Sequence, residues 1–163
     1  MHERGPQDAG ASAGTILAGM LRLSADGLLA ALDDMSDDEL RARPHGLAPA
    51  LWQVGQVALS DARLARRAGA AVDLPEAWST LFSRGTSGEG DLPSRAEVIR
   101  LFREVNDRVL DLCAGDLART VETAAGRTDT LGNRLAFHVF HRGYHYGKLM
   151  TLRALLGKPR LLG

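Results

Sequence analysis

The sequence has few of the residues that mark several classes of protein. Cys113 is its only cysteine, so no disulfide can form within the chain, and a reducing, cytoplasmic location is predicted. Its 20 basic residues are balanced by 20 acidic ones, which argues against a general nucleic-acid-binding protein. Aromatic residues supply only 5% of the chain, so the core must consist mostly of Leu, Val and Ala.

Long apolar runs are also missing. No uninterrupted stretch approaches the ~18 residues of a membrane span, and residues 1–14 lack the pattern of a signal peptide. We therefore predict no membrane association, a flexible tail over residues 1–14 and a single domain over residues 15–163. The overall composition, 45% apolar and 25% charged, is typical of a globular protein.

Apolar residues instead recur at helical spacing, and no segment alternates as a strand does. The predicted long helices cover residues 15–35, 49–69, 94–115 and 129–156. Ser36 and Glu39 predict a capping box at a short helical turn, and a long connection over residues 70–93 contains a predicted short helix near Trp78. The pattern predicts an all-α, antiparallel four-helix bundle with a long crossover between the second and third helices.

Three of the five histidines lie in the last helix, at His138, His141 and His145. Spacings of three and four residues place them on one face, and two imidazoles at i and i+4 can converge on one metal ion. Such a site needs a third ligand from another element. His45, in the loop before the second long helix, is one candidate, whereas Asp61 is expected to point elsewhere. The alternative is a set of partly buried histidines with hydrogen-bond partners.

Other groups have simpler interpretations. Arg63, Arg66 and Arg67 are predicted to form a solvated helix face. Cys113 lies on an apolar stripe and is expected to be buried. The glycine-rich segment 84–90 lacks a following Gly-Lys-Ser/Thr, so it is not a phosphate-binding loop.

Several segments together resemble the DinB/YfiT-like superfamily of bacterial four-helix-bundle proteins. The histidine pair in His141-Arg-Gly-Tyr-His145-Tyr-Gly-Lys-Leu149 is similar to that family's closing helix. Leu51-Trp-Gln-Val-Gly-Gln-Val-Ala-Leu-Ser60 is similar to its second helix, and Trp78 to Gly85 to its crossover. The resemblance covers residues 15–161.

The resemblance implies a divalent metal site, commonly for zinc or nickel, with His141 and His145 as ligands. The family's third histidine is replaced here by Gln56, a neutral and weaker donor. Arg142 stands where the family often has Glu, and Lys148 where it usually has Gln. Both changes add positive charge, which disfavours a cation and favours an anionic ligand. The candidate substrate-binding residues are Trp52, His138, Arg142 and Lys148.

Three functions are therefore left open, one of them a purely structural dimer that pairs through the faces of the bundle, and the other two are as follows. One is a metal-dependent enzyme with a degraded metal site, either a hydrolase or a transferase that uses bacillithiol or mycothiol. The other is a non-catalytic protein that binds a small molecule or acts in a stress response. Homodimer formation is expected in either case.

Overall fold

The computed structural model describes residues 11–123 and 126–161, and helices dominate it. The four long helices are α1 (Ala13–Ala30), α3 (Ala50–Arg67), α5 (Arg95–Leu112) and α6 (Leu131–Leu155). The shorter elements are α2 (Asp37–Arg41), a 3-10 turn (Pro44–Gly46), α4 (Trp78–Leu81) and the strands β1 (Thr120–Glu122) and β2 (Thr128–Thr130). The predicted all-α four-helix bundle with a long crossover is confirmed.

The helix α3 lies at the centre of the packing. It packs against both α5 and α6, whereas α1 packs mainly against α6. Thirteen of the 18 residues of α3 are buried, so polar residues within it, such as Gln53 and Asp61, are enclosed between helices. These enclosed polar side chains form the site described below.

Most helix starts follow the predicted caps. The Ser36 hydroxyl accepts from the Glu39 amide at 3.2 Å, and the Glu39 carboxylate accepts from the Ser36 amide at 2.7 Å, which confirms the capping box. The first helix is shorter than predicted, ending at Ala30 rather than Met35. The cause lies in α6, whose buried Arg153 donates to the carbonyl of Ala31 and pairs with Asp34, so this segment forms a turn.

The crossover between α3 and α5 packs tightly on the first half of α3. The Phe82 ring lies over Gly55, where a Cβ atom would come within 2.3 Å of it, so only glycine fits there. Trp52 Nε1 donates to the Leu81 carbonyl at 2.9 Å and to the Thr86 hydroxyl at 3.2 Å. These contacts hold the crossover, including Arg84, beside the C-terminal half of α6.

One other prediction, that the chain has no strands, is wrong, and another concerns residues that the structure mostly does not describe. Strands were not expected, but β1 and β2 form a short antiparallel hairpin that leads into α6. The predicted tail over residues 1–14 falls mostly outside the described residues, and α1 already begins at Ala13, capped by the Ser12 hydroxyl.

By length and composition α1 could cross a membrane, with a mean hydropathy of 1.2, but it packs in the bundle with Leu21 and Leu28 fully buried.

Candidate metal and ligand cleft

A cleft of about 730 Å³ lies between α3, α6 and the crossover. It brings together six of the seven side chains predicted to form a site. These are Trp52, Gln56, His138, His141, His145 and Lys148. The seventh, Arg142, is not among the lining residues, and its different position is described below.

The histidine pair sits in the wall that α6 contributes. One helical turn separates His141 from His145, and their Nε2 atoms lie 3.2 Å apart. His145 is only 4% exposed, whereas His141 is half-buried. The two rings therefore point their Nε2 atoms at each other beside the cleft, as the spacing of four residues predicted.

Gln53 determines the tautomer of His145. The Gln53 amide nitrogen donates to the carbonyl of Ala48 at 3.1 Å, which orients the amide oxygen towards His145 Nδ1 at 2.7 Å. Because that oxygen can only accept, Nδ1 carries the proton and donates. The Nε2 of a neutral His145 therefore has a lone pair, which can accept from the Nε2–H of His141 at 3.2 Å. Sequence reasoning missed Gln53, although its position three residues before Gln56, on the same face of α3, is a usable signal.

Both imidazoles are biased towards the neutral form. Burial, reinforced by His141 and Lys148, lowers the pKa of His145 to about 3. Burial also lowers the pKa of His141, to which the nearby charges of His138 and Arg142 contribute. Neutral imidazole is the form that binds metal ions and accepts protons.

The donor set partly fits a divalent metal ion. The buried Gln56 Oε1 has no hydrogen-bond partner within the described residues, so a third donor atom is available at the cleft. His141 Nδ1 also has none, whereas metal-binding histidines nearly always donate their other N–H to a partner. No group of three His, Cys, Asp or Glu side chains in the described part of the chain is placed to hold a metal. The cleft therefore offers two adjoining imidazoles and a neutral amide oxygen, which is fewer strong donors than a tight transition-metal site requires.

A second polar cluster, the Asp61 cluster, lies behind the cleft and consists of Asp61, His138 and Arg142. Asp61 is fully buried and accepts from His138 Nδ1 at 2.6 Å and from Arg142 Nε at 2.9 Å. Arg142 also donates to the Leu21 carbonyl at 2.8 Å and to the Asn106 side chain at 2.9 Å. The predicted substrate-binding role of Arg142 is therefore wrong, because its side chain is fully buried and paired within the bundle.

The charge of Asp61 is maintained by its partners. Burial by itself would raise the pKa of this carboxyl group, but the positive charge of Arg142 and the hydrogen bond from His138 outweigh it, so the pKa is lowered. The prediction that Asp61 points away from the histidine pair agrees with these contacts. The sequence contained no signal that its partners would be His138 and Arg142.

Five basic side chains line the cleft. They are Arg63, Arg67, Arg84, Arg134 and Lys148. No Asp or Glu is among the lining residues. The predicted solvated face on α3 is thus corrected in part, since Arg63 and Arg67 face the cleft beside the crossover.

Comparisons with known proteins agree with the observed fold. A family model for the DinB superfamily matches residues 20–149. Among solved structures, YfiT from Bacillus subtilis, described as a probable metal-dependent hydrolase with an unusual four-helix bundle topology, has a similar fold, with a TM-score of 0.68. The two chains are 18% identical over 96% of this chain and 95% of that one. A search of functionally curated proteins gave no match.

Proposed function

Since the chain belongs to the DinB superfamily, we propose that it is a divalent-metal-dependent enzyme with a weakened metal site. His141 and His145 are the proposed imidazole ligands, and Gln56 is the weak third donor. The observation that carries this proposal is the 3.2 Å separation of the two Nε2 atoms, which form a hydrogen bond to each other when no metal is bound. Two imidazoles on one tetrahedral zinc ion, at the usual distance of about 2.0–2.1 Å, have nitrogens about 3.3 Å apart.

The chemistry that zinc or nickel supplies in such a site is activation of water or a thiol as a nucleophile near neutral pH. The protein's own contribution is orientation. Gln53 holds His145 in the tautomer whose Nε2 lone pair faces His141, and the Trp52 indole lines the adjacent wall while its Nε1 donates to the crossover. Hydrolysis is the first reaction to test, because the similar YfiT is described as a probable hydrolase. Thiol transfer with bacillithiol or mycothiol is the second.

A non-catalytic binding protein is the alternative function. Two observations favour it: Gln56 supplies a neutral amide in place of a third imidazole, and His141 Nδ1 lacks a partner. Both features lower the expected affinity for a transition metal. The cleft would then serve a small-molecule ligand alone.

Metal binding distinguishes the metal-dependent enzyme from the non-catalytic binding protein, and it is measured on protein purified without a histidine tag. Zinc and nickel are titrated by calorimetry, and the melting temperature is measured with and without each ion. The enzyme proposal expects binding of about one ion per chain and a rise in Tm, both lost in His145→Gln. His45→Asn is the matched control, because His45 is exposed and lies outside the cleft lining.

Two results would count against the metal-dependent enzyme. One is an unchanged Tm and no heat of binding for either ion, which would leave the binding protein. The other is loss in His45→Asn but not in His145→Gln, which would place the ion away from the histidine pair.

A further inference from the structure

Positive charge is concentrated around the cleft in a chain whose formal net charge is zero. Arg63 and Arg67 come from the end of α3, Arg84 from the crossover, and Arg134 and Lys148 from α6. Three separate segments thus contribute cations to one concave surface, and none contributes a carboxylate to its lining. The side chains that line the cleft therefore give it a positive charge, which favours an anion over a cation as its ligand.

These five cations have no carboxylate partner within the described residues. Seven other basic side chains there form ion pairs with Asp or Glu and seven more form none, so what distinguishes the five is their common place around one cleft. The paired ones are Arg43, Arg95, Arg100, Arg108, Arg142, Arg153 and Lys158. Arg63, Arg134 and Lys148 are also half-buried, so they lose part of their hydration without gaining a counter-charge.

Aromatic rings and a hydroxyl group position the half-buried cations instead. The Arg134 guanidinium lies 4.5 Å from the centre of the Phe137 ring, and the Lys148 ammonium 5.4 Å from that of Tyr144. Arg63 donates to the Ser83 hydroxyl at 3.1 Å. These contacts restrict the side chains but use few of their N–H donors, so most remain available to a ligand.

We infer that the cleft binds a small organic anion, with carboxylate or phosphate groups held by Arg63, Arg134 and Lys148 and an apolar body against Trp52. Guanidinium groups bind both kinds of oxyanion through paired hydrogen bonds. A volume of about 730 Å³ suits a metabolite-sized ligand rather than a polymer. The inference rests on the proposed small-molecule site but does not require a metal ion. It assigns ligand binding to residues that line the cleft instead of to Arg142, which is buried.

The test uses three probes with a similar aromatic body: phthalate, phenyl phosphate and the neutral benzyl alcohol. Binding to the full chain is measured by calorimetry and by the fluorescence of Trp52, with Trp52→Phe identifying its signal. The protein is freed of metal beforehand and the chelator is removed, because EDTA is itself a polycarboxylate that would compete for the cleft. Working without metal separates this test from that of the proposed metal site, since either can fail while the other succeeds. Both anions are expected to bind at least tenfold more tightly than the alcohol if their groups share the same contacts. If only one binds, its group identifies the headgroup class.

The decisive comparison is between two double variants with equal loss of charge. Arg63→Gln/Lys148→Gln removes two cations from the cleft, whereas Arg22→Gln/Arg103→Gln removes two exposed arginines elsewhere. We expect the first to weaken anion binding roughly tenfold or more and the second to leave it within about twofold. Equal weakening in both variants would show that the overall charge of the protein controls the binding, and it would overturn the inference. Binding of benzyl alcohol as tight as that of the anions would overturn it as well.

Discussion

Two polar clusters lie one helical turn apart on the inward side of α6, and they differ in how fully their atoms are paired. In the Asp61 cluster, the carboxylate binds both His138 and Arg142 at 2.6–2.9 Å, and Arg142 Nη2, which makes no hydrogen bond, still lies 2.7 Å from Asp61 Oδ2 as an ion pair. In the histidine pair, His145 is held by Gln53, but His141 Nδ1 and Gln56 Oε1 have no partners of either kind within the described residues. Paired buried groups stabilise a fold, whereas unpaired ones at a cleft are available to a ligand. The difference indicates a structural role for Asp61 and supports the proposed binding role of the histidine pair.

Breaking the Asp61 cluster should have the largest effect on stability. Asp61→Leu leaves the buried Arg142 without its counter-charge, so we expect the free energy of unfolding to fall by about 3–5 kcal/mol. Urea denaturation at pH 7 measures it. The double variant Asp61→Leu/Arg142→Met should recover much of the loss, because no buried charge remains. A loss below about 1 kcal/mol in the single variant would show that the pair does not support the fold.

The histidine pair should make stability depend on pH. The pKa of His145 is about 3 in the folded chain against about 6.5 unfolded, so below pH 6.5 the unfolded chain binds one more proton. The free energy of unfolding should therefore fall with decreasing pH, by up to about 1.4 kcal/mol per pH unit for this group.

The window between pH 5 and pH 7 isolates this effect, because the carboxyl groups with lowered pKa values, such as Asp61, titrate below it. Denaturation in EDTA at several pH values measures the slope. His145→Gln should flatten it, leaving the smaller contribution of His141, whose pKa is also lowered. An unchanged slope in the variant would contradict the assignment of a neutral, buried His145.

Removing the acceptor for His145 should have a smaller effect. Gln53→Leu leaves the Nδ1–H group without its partner, and we expect a loss of about 1–2 kcal/mol in urea denaturation. If a metal binds, its affinity should also fall about 10- to 100-fold, as for other partners of metal ligands. Gln53→Glu keeps an acceptor but adds a charge that favours protonated His145, so its pH slope between pH 5 and pH 7 should be shallower than that of the wild type.

The smallest effect on stability is expected at Gln56. Because Gln56 Oε1 has no partner to lose, Gln56→His should change the free energy of unfolding in EDTA by less than about 0.5 kcal/mol. With zinc present, the added imidazole should raise the affinity at least tenfold, as measured by calorimetry. Gln53→His is unsuitable as a control because it disturbs His145, so Ser60→His, also in the cleft lining, is used instead. Equal gains in both variants would mean that position 56 has no special relation to the pair.

Local patterns were enough to predict much of the fold. The cap at Ser36 and the apolar spacing along the long helices predicted most helix boundaries to within a few residues, because these signals involve neighbours in the chain. The end of α1 was placed five residues too late, since it depends on Arg153, more than 120 residues away. The β1–β2 hairpin was missed because three-residue strands are too short to show alternation.

The sequence by itself determined the bundle and the convergence of His141 and His145. The bundle follows from apolar periodicity in four segments, and the convergence follows from a spacing of four residues within one helix. Only the tertiary structure decided which polar residues are enclosed and which residues they form hydrogen bonds or ion pairs with. Arg142 and Lys148 both stood beside the histidines in the sequence, but one is paired with Asp61 in the core and the other lines the cleft. That distinction depends on the side chains that α3 and the crossover present to α6, and periodicity along one helix carries no information about them.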